Sequence, residues 1–342
     1  MSYKLCVFIL GGTGYLGGSI LVELAKQHPE ARFIALVRNR ANNIAFRPLG
    51  VDVVNGTHED LPLIEKLAAE SDVVINVSSS DNLALIKAIL AGLEKRARDE
   101  PDASRKPILI HTSGTGVLCK DLDGEFREGK VYDDNIIEDT KGIPDNAFHR
   151  NVDLEIFSAA KNGLIDAYIV APCTIYGKSR GPLPRLSMQI NGMIKMALTH
   201  KEVVQLGPAT NVWNSLYIGD LCNFYALLFE HALSGKDKSA DPMERFYWAS
   251  GEEFIWGDVA KELAKLLYAA GAIASDTPKQ LTLQDQPNLM LTVSNARAVS
   301  NRGPSTFGWK IQGPSLWETL PKEVEWTIAE VKAKARPRIR GL

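Results

Sequence analysis

The sequence predicts an α/β fold, a doubly wound parallel sheet followed by a smaller mixed lobe, and three observations carry that reading. Short apolar runs alternate with amphipathic, helix-length segments from Lys4 to Val170. The first run, Leu5-Cys-Val-Phe-Ile-Leu10, breaks into glycines at positions 11, 14 and 17 and then into a helical pattern. Beyond Lys178 the composition shifts, with Gly181-Pro-Leu-Pro184 as a linker, and the regular alternation ends.

Taken in order, the glycine turn leads into a helix over about Leu16 to Gln27, where Ile20, Leu21 and Leu24 share one face. Arg32 to Val37 reads as the second strand and Val51 to Val54 as a short third. Leu61 to Ala69 is helical, Asp72 to Val77 is the fourth strand, and a helix from about Asn82 to Arg98 stops before Pro101. Pro107 to His111 is the fifth strand. Cys119 to Asn146 is acidic and turn-rich without steady periodicity, which predicts a long surface excursion beside the cleft. A helix over Phe148 to Lys161 and a strand over Ile165 to Val170 follow, with Ala171-Pro172 predicted to stop the strand.

The predicted organisation is a first domain over residues 1–180, completed by about 216–250, with 181–215 and 251–335 forming a smaller substrate-facing lobe. That lobe takes helices near Met188 to Thr199, Ile255 to Ala270 and Lys322 to Ala333, and short strands near Val203 and Trp213. Ile218 to Leu233 is a helix, and Phe246 to Ala249 is a strand that could rejoin the main sheet. Residues 336–342 form a basic tail.

A glycine-rich turn between a buried strand and a helix suits a nucleotide diphosphate. One glycine bends the chain, one lets the backbone approach phosphate, and one lets the helix pack closely. The helix amino terminus then faces the negative charge. Here the spacing is GxxGxxG, carried by Gly11, Gly14 and Gly17. Arg38, directly after the second strand, suits a ribose 2'-phosphate better than a ribose hydroxyl. NADP(H) is therefore favoured over NAD(H).

Composition narrows the class. A net charge of -2, with 23 percent charged residues, gives no nucleic-acid footprint. The cysteines Cys6, Cys119, Cys173 and Cys222 are scattered, which fits a reduced, cytoplasmic compartment better than a disulfide framework. No apolar run reaches membrane-spanning length, so no membrane partner is expected. The histidines lack metal-ligand spacing, so no metal is expected.

Three segments together resemble the extended short-chain dehydrogenase/reductase group, including epimerase/dehydratase-like proteins. Leu10-Gly-Gly-Thr-Gly-Tyr-Leu-Gly17 is similar to its TGxxGxxG cofactor loop, with Leu10 in place of threonine. Ile110-His-Thr-Ser-Gly-Thr115 resembles the strand ending at the catalytic serine or threonine, and Ala171-Pro-Cys-Thr-Ile-Tyr-Gly177 resembles RPxxVYG without its arginine. The resemblance spans roughly residues 4–233, and more weakly Arg302 to Trp309. It implies a Rossmann-type sheet, a small-molecule substrate and a helix-paired homodimer. Gly11, Thr13, Gly14, Tyr15, Leu16, Gly17, Arg38, Val77, Ser78, Ser79, Pro172 and Tyr176 are the cofactor-binding residues it implies.

The departure lies where the group carries YxxxK, because the matching positions here are His149 and Asp153. Four-residue spacing would put both on one helix face, where a carboxylate could orient an imidazole as general acid or base. Ser113 and Thr115 could hold the reacting oxygen, with Arg302 and Trp213 as substrate-binding candidates. These residues predict an atypical NADP(H)-dependent oxidoreductase of small carbonyl or hydroxyl compounds. A dinucleotide-binding redox sensor without turnover, as in nitrogen-metabolite-regulator-like relatives, and a non-redox isomerase or lyase are the alternatives.

Overall fold

The computed structural model describes residues 4–101, 105–282, 284–285 and 292–335. The basic tail at 336–342 therefore lies outside the described residues.

The first half of the chain alternates as the apolar pattern requires. In order come β1 (Cys6–Leu10), α1 (Tyr15–Gln27), β2 (Arg32–Val37), β3 (Asp52–Asn55), α2 (Leu61–Ala69), β4 (Val73–Asn76), α3 (Leu83–Asp99) and β5 (Ile108–Thr112). Next are β6 (Tyr132–Asp133), α4 (Ile137–Lys141), α5 (Arg150–Lys161), β7 (Asp166–Pro172) and β8 (Thr174–Tyr176). The remainder contains α6 (Gln189–His200), β9 (Val204–Leu206), β10 (Val212–Tyr217), α7 (Ile218–Leu233), β11 (Phe246–Ala249), β12 (Glu253–Ile255) and α8 (Trp256–Ala269). It closes with β13 (Lys279–Leu281), β14 (Ala298–Val299), α9 (Arg302–Phe307) and α10 (Leu316–Ala335).

Seven strands pair in parallel in the order β11-β7-β5-β4-β1-β2-β3. The chain winds outward from β1 in one direction and from β4 in the other. The carboxyl ends of β1 and β4 thus flank the switch point where open sheets of this kind place their ligands. Side-chain alternation builds a core on each face. Val7, Ile9, Val73 and Ile75 pack with α1 and α7, while Phe8, Leu10, Val74 and Leu109 pack with α2, α3 and α5.

The smaller lobe holds the sheet β12-β10-β8 and the pair β13-β9, with β14 pairing β6 beside it. One sequence boundary moves. β7 runs through Pro172, which stays in register with Ala249, because a proline at the last strand position forfeits little of the ladder. The excursion after β5 is also stitched to the body. Lys120 N–H donates to Ser294 Oγ (2.8 Å), Gly124 N–H to the Val293 carbonyl (2.8 Å) and Tyr132 N–H to the Arg297 carbonyl (3.0 Å).

Candidate active site

The glycine turn has the geometry its spacing implies. Gly11 has φ +96°, and a Cβ there would lie 2.7 Å from the Val77 carbonyl oxygen. A Cβ at Gly14 would come within 3.0 Å, and one at Gly17 within 2.5 Å, of the Gly11 carbonyl oxygen. Side chains are thus excluded from the places where β1, β4 and α1 converge. Gly14 caps α1 without a side-chain hydrogen bond, so the amide groups of the first turn stay available to an anion. Thr13 lines the cleft, Leu16 is buried in the core under α1, and Tyr15 donates its hydroxyl to the Gly177 carbonyl at 2.7 Å.

Beside this turn lies a cleft of about 220 Å³ walled by the ends of β1, β2, β3 and β4. Gly11, Thr13 and Gly14 form one side, Leu36 and Arg38 another, and Gly56, Thr57, His58 and Glu59 a third. Val77 and Ser78 complete it. Arg38 therefore faces this cleft together with an acid. The Glu59 carboxyl is fully exposed and held below its ordinary value, chiefly by hydrogen bonds from Thr57 and its own backbone, with Arg38 adding a smaller attraction.

The floor between β4 and β5 is a buried polar chain. Asn76 Nδ2 donates to His111 Nδ1 at 3.1 Å, while Asn76 Oδ1 accepts from the hydroxyl and the amide of Ser78, at 2.7 and 3.2 Å. Asn76 Nδ2 also reaches the Ser79 carbonyl at 3.3 Å. Burial pushes His111 down to about 3, with the neighbouring His149 adding to it, so His111 is neutral and carries its proton on Nε2. This chain fixes the loop after β4, and with it Val77, Ser78 and Ser79.

At the end of β5 the structure rearranges the expected histidine and aspartate pair. α5 begins at Arg150, so His149 sits just ahead of it as the cap, in the left-handed region at φ 65°. That backbone turn removes the shared helix face. His149 Nδ1 pairs instead with Asp81 Oδ1 at 2.6 Å, whereas Asp153 is fully buried and accepts from Ser113 Oγ at 3.0 Å. Asp153 is pushed up to about 7 by burial, against the opposing pull of Ser113 and Arg150. It is a sealed carboxyl that keeps its proton well above the ordinary carboxylate range, and it is bonded to Ser113, so it does not orient the imidazole.

His149 Nε2 lies over bare backbone just past β5. A Cβ at Gly116 would be 3.0 Å from it and one at Gly114 3.5 Å. Since a carboxylate only accepts, Asp81 holds the proton on Nδ1 and leaves Nε2 as the acceptor. The imidazole also borders a cavity of about 630 Å³, whose wall includes Lys120, Tyr132 and Asn146 from the excursion and Phe148 just beyond it. Thr115 Oγ1 is buried at the same strand end and has no partner among the described residues.

Other predicted residues are placed elsewhere. Arg302 is buried, its guanidinium given to the carbonyls of Glu244, Phe246 (2.9 Å) and Met243 (3.3 Å). Trp213 is buried and donates Nε1 to the Ser294 carbonyl at 2.7 Å. Both are committed to main-chain carbonyls from inside the fold, Arg302 through Nη1 and Trp213 through Nε1. Tyr176 is buried too, with its hydroxyl on the Pro314 carbonyl at 2.7 Å, and Pro172 ends β7 in register with Ala249. No cluster able to hold a metal ion occurs among the described residues, and none of their helices is long and apolar enough to cross a membrane.

Sequence reasoning missed Asp81, Asn76 and Glu59. Asp81 and Asn76 had a usable signal, a polar run directly after an apolar strand at the switch point. Glu59 had none, since an acid in a short turn before a helix is ordinary.

A family model described as the NmrA-like family matches residues 4–94, and one described as the NAD dependent epimerase/dehydratase family matches residues 150–240. Over 338 residues the chain is 27% identical to "Oxidase ucsJ" from Acremonium sp., covering 92% of this chain and 95% of that protein. Among solved structures it is similar to dTDP-glucose 4,6-dehydratase from Bacillus anthracis in complex with NAD. That match has TM-score 0.69 and 14% identity, over 96% of this chain and 98% of that one. It is also similar to UDP-glucuronic acid 4-epimerase from Bacillus cereus, in complex with UDP-glucuronic acid and NAD. There the TM-score is 0.66 and the identity 15%, over 95% and 100% of the two chains.

These NAD complexes overturn the expectation of NADP(H) and, with it, of an NADP(H)-dependent oxidoreductase. The physical reason is in the cleft: Arg38 shares it with Glu59, so the arginine does not make a purely cationic phosphate pocket.

Proposed function

The chain is an NAD(P)-binding Rossmann-fold protein related to the NAD-dependent epimerase/dehydratase family of extended short-chain dehydrogenases/reductases, and on that footing we propose that it is an NAD-dependent oxidoreductase or epimerase-type enzyme. Its substrate is a small hydroxyl or carbonyl compound, with nucleotide-sugar-like compounds as the class to try first, since the dehydratase and epimerase above share the fold. The residues at the switch point fit a dinucleotide: a glycine cradle that a Cβ would fill, an uncapped helix end and a cleft at the ends of β2 and β3. When bound, NAD would supply a hydride acceptor or donor.

The single observation that carries the catalytic reading is the Asp81 and His149 pair at the end of β5, with Nε2 left as the acceptor. His149 takes the proton from a substrate hydroxyl on Nε2, or returns it to a carbonyl oxygen. Asp81 fixes the ring and stabilises the imidazolium while the proton is held. Asp153, buried and bonded to Ser113, supports the strand end and does not touch the reacting atoms.

The test is His149→Ala, assayed for NAD reduction or epimerisation on a panel of nucleotide sugars and simpler alcohols. Turnover is expected to fall by about 10² to 10⁴-fold while NAD affinity stays within about twofold. Undiminished turnover would remove His149 from the proton transfer. Tight NAD binding by the unaltered protein with no turnover on any of the panel would favour the sensing alternative.

A further inference from the structure

The segment after β8 runs across the glycine turn, and its contacts are backbone-close. A Cβ at Gly181 would lie 2.9 Å from the Cα of Gly18, and one at Gly18 would lie 3.2 Å from Pro182 Cδ. Arg180 N–H donates to Ser19 Oγ at 3.0 Å, and Tyr15 reaches back to the Gly177 carbonyl. At the far end of this strap Arg185 N–H donates to Ser179 Oγ at 3.1 Å, and its side-chain Nε donates to the Thr13 carbonyl at 3.1 Å. The composition shift at Gly181-Pro-Leu-Pro184 is thus a strap laid over the first turn of α1.

Arg185 is exposed and makes no ion pair among the described residues. Anchoring through Nε holds the planar guanidinium at the turn and leaves its two terminal nitrogens free. Those nitrogens carry four N–H donors, and a guanidinium matches phosphate oxygens in a bidentate manner. Thr13 itself lines the cleft at the uncapped end of α1. We propose that Arg185 is a phosphate clamp, closing over the diphosphate of the bound dinucleotide from the side opposite the helix amides. This rests on the cofactor reading above and adds to it a second-lobe residue that ties diphosphate recognition to the strap.

The experiment titrates NADH (by fluorescence), ADP-ribose and adenosine into the unaltered protein, Arg185→Ala and Arg185→Lys. For Arg185→Ala, Kd for NADH and for ADP-ribose should rise about tenfold, with adenosine affinity unchanged and the melting temperature preserved. Arg185→Lys, which keeps the charge without the fork, should recover part of the loss. Raising salt should weaken NADH binding more for the unaltered protein than for Arg185→Ala. If the unaltered protein binds NADH and Arg185→Ala binds it equally well, the clamp is refuted and the cofactor reading stands. Failure of the unaltered protein to bind either diphosphate ligand would instead refute the cofactor reading, and the clamp with it.

Discussion

The turn at the end of β1 and the strand end at β5 lie on the same edge of one sheet, yet they are built on different principles. At the turn, function resides in what is absent. Three positions exclude a Cβ at 2.5 to 3.0 Å from backbone, so only glycine leaves the cradle open. At β5 it resides in which partner each side chain finds. His149 takes Asp81 at 2.6 Å and Asp153 takes Ser113 at 3.0 Å. The first kind of site can be read along the chain because backbone geometry is local. The second needs the fold, since Asp81 is 68 positions from His149.

Breaking the turn should have the largest effect. In Gly17→Ala the new methyl meets the Gly11 carbonyl oxygen at 2.5 Å, a backbone atom that cannot swing aside. Calorimetric titration should show NAD affinity falling more than about 100-fold, and denaturant melts should show a loss of about 1–3 kcal/mol from overpacking. If affinity survives, the cradle is not the diphosphate site.

A smaller and differently distributed effect is expected at the strand end. Asp81→Asn should reduce kcat by about tenfold or more, as expected for a group acting through the catalytic base, while NAD affinity holds; Asp81→Glu should restore part of the rate. The kcat loss without a binding loss is the readout, because a merely structural role would affect both. Equal kcat in Asp81→Asn would leave the imidazole oriented by something else.

The gentlest contrast separates Asp81 from Asp153. The folded value of Asp153, about 7, lies above its ordinary 3.8 because burial penalises the anion. Between these values the unfolded chain has released a proton that the folded chain retains. The group therefore favours folding fully below about pH 4 and loses that contribution as pH rises toward 7. His111, depressed to about 3, acts in the opposite sense, losing its contribution as pH falls below about 6.5. Comparing the parent with Asp153→Asn isolates the carboxyl. Measured by urea melts from pH 4.5 to 7, the stability of the parent minus that of the variant should fall with rising pH, on the order of 1 kcal/mol per pH unit, because the opposing His111 contribution is common to both proteins and cancels in the difference. Parallel profiles would mean that Asp153 ionises freely in the fold.

How far the sequence could be read follows the same division. Several elements, among them β2, α2, α7 and β11, fall where the apolar periods put them, because their burial on both faces of a sheet or along one helix face leaves no competing arrangement. Pro172 does end β7, but two residues later than the sequence suggested, since the cost of a proline depends on whether its position needs an N–H. Arg38 misled more seriously, because a cation adjacent in sequence to β2 was weighed without Glu59, which the β3 to α2 turn brings to the same cleft. Arg302 and Trp213 looked available for a ligand and are occupied by main-chain carbonyls. Spacing alone set His149 and Asp153 on one face. A single left-handed residue at the head of α5 undoes that relation, and nothing in the local sequence announces it.

The central claim is that the cofactor cradle and the Asp81 and His149 pair serve one reaction. A crystal structure with NAD bound tests it most directly. Within the contact range a general base needs, His149 Nε2 should lie no more than about 5 Å from a position where a reacting oxygen can sit beside nicotinamide C4. The Asp81 hydrogen bond should remain intact in that complex. A nicotinamide ring placed beyond the reach of Nε2, or an imidazole turned away from it, would contradict the account.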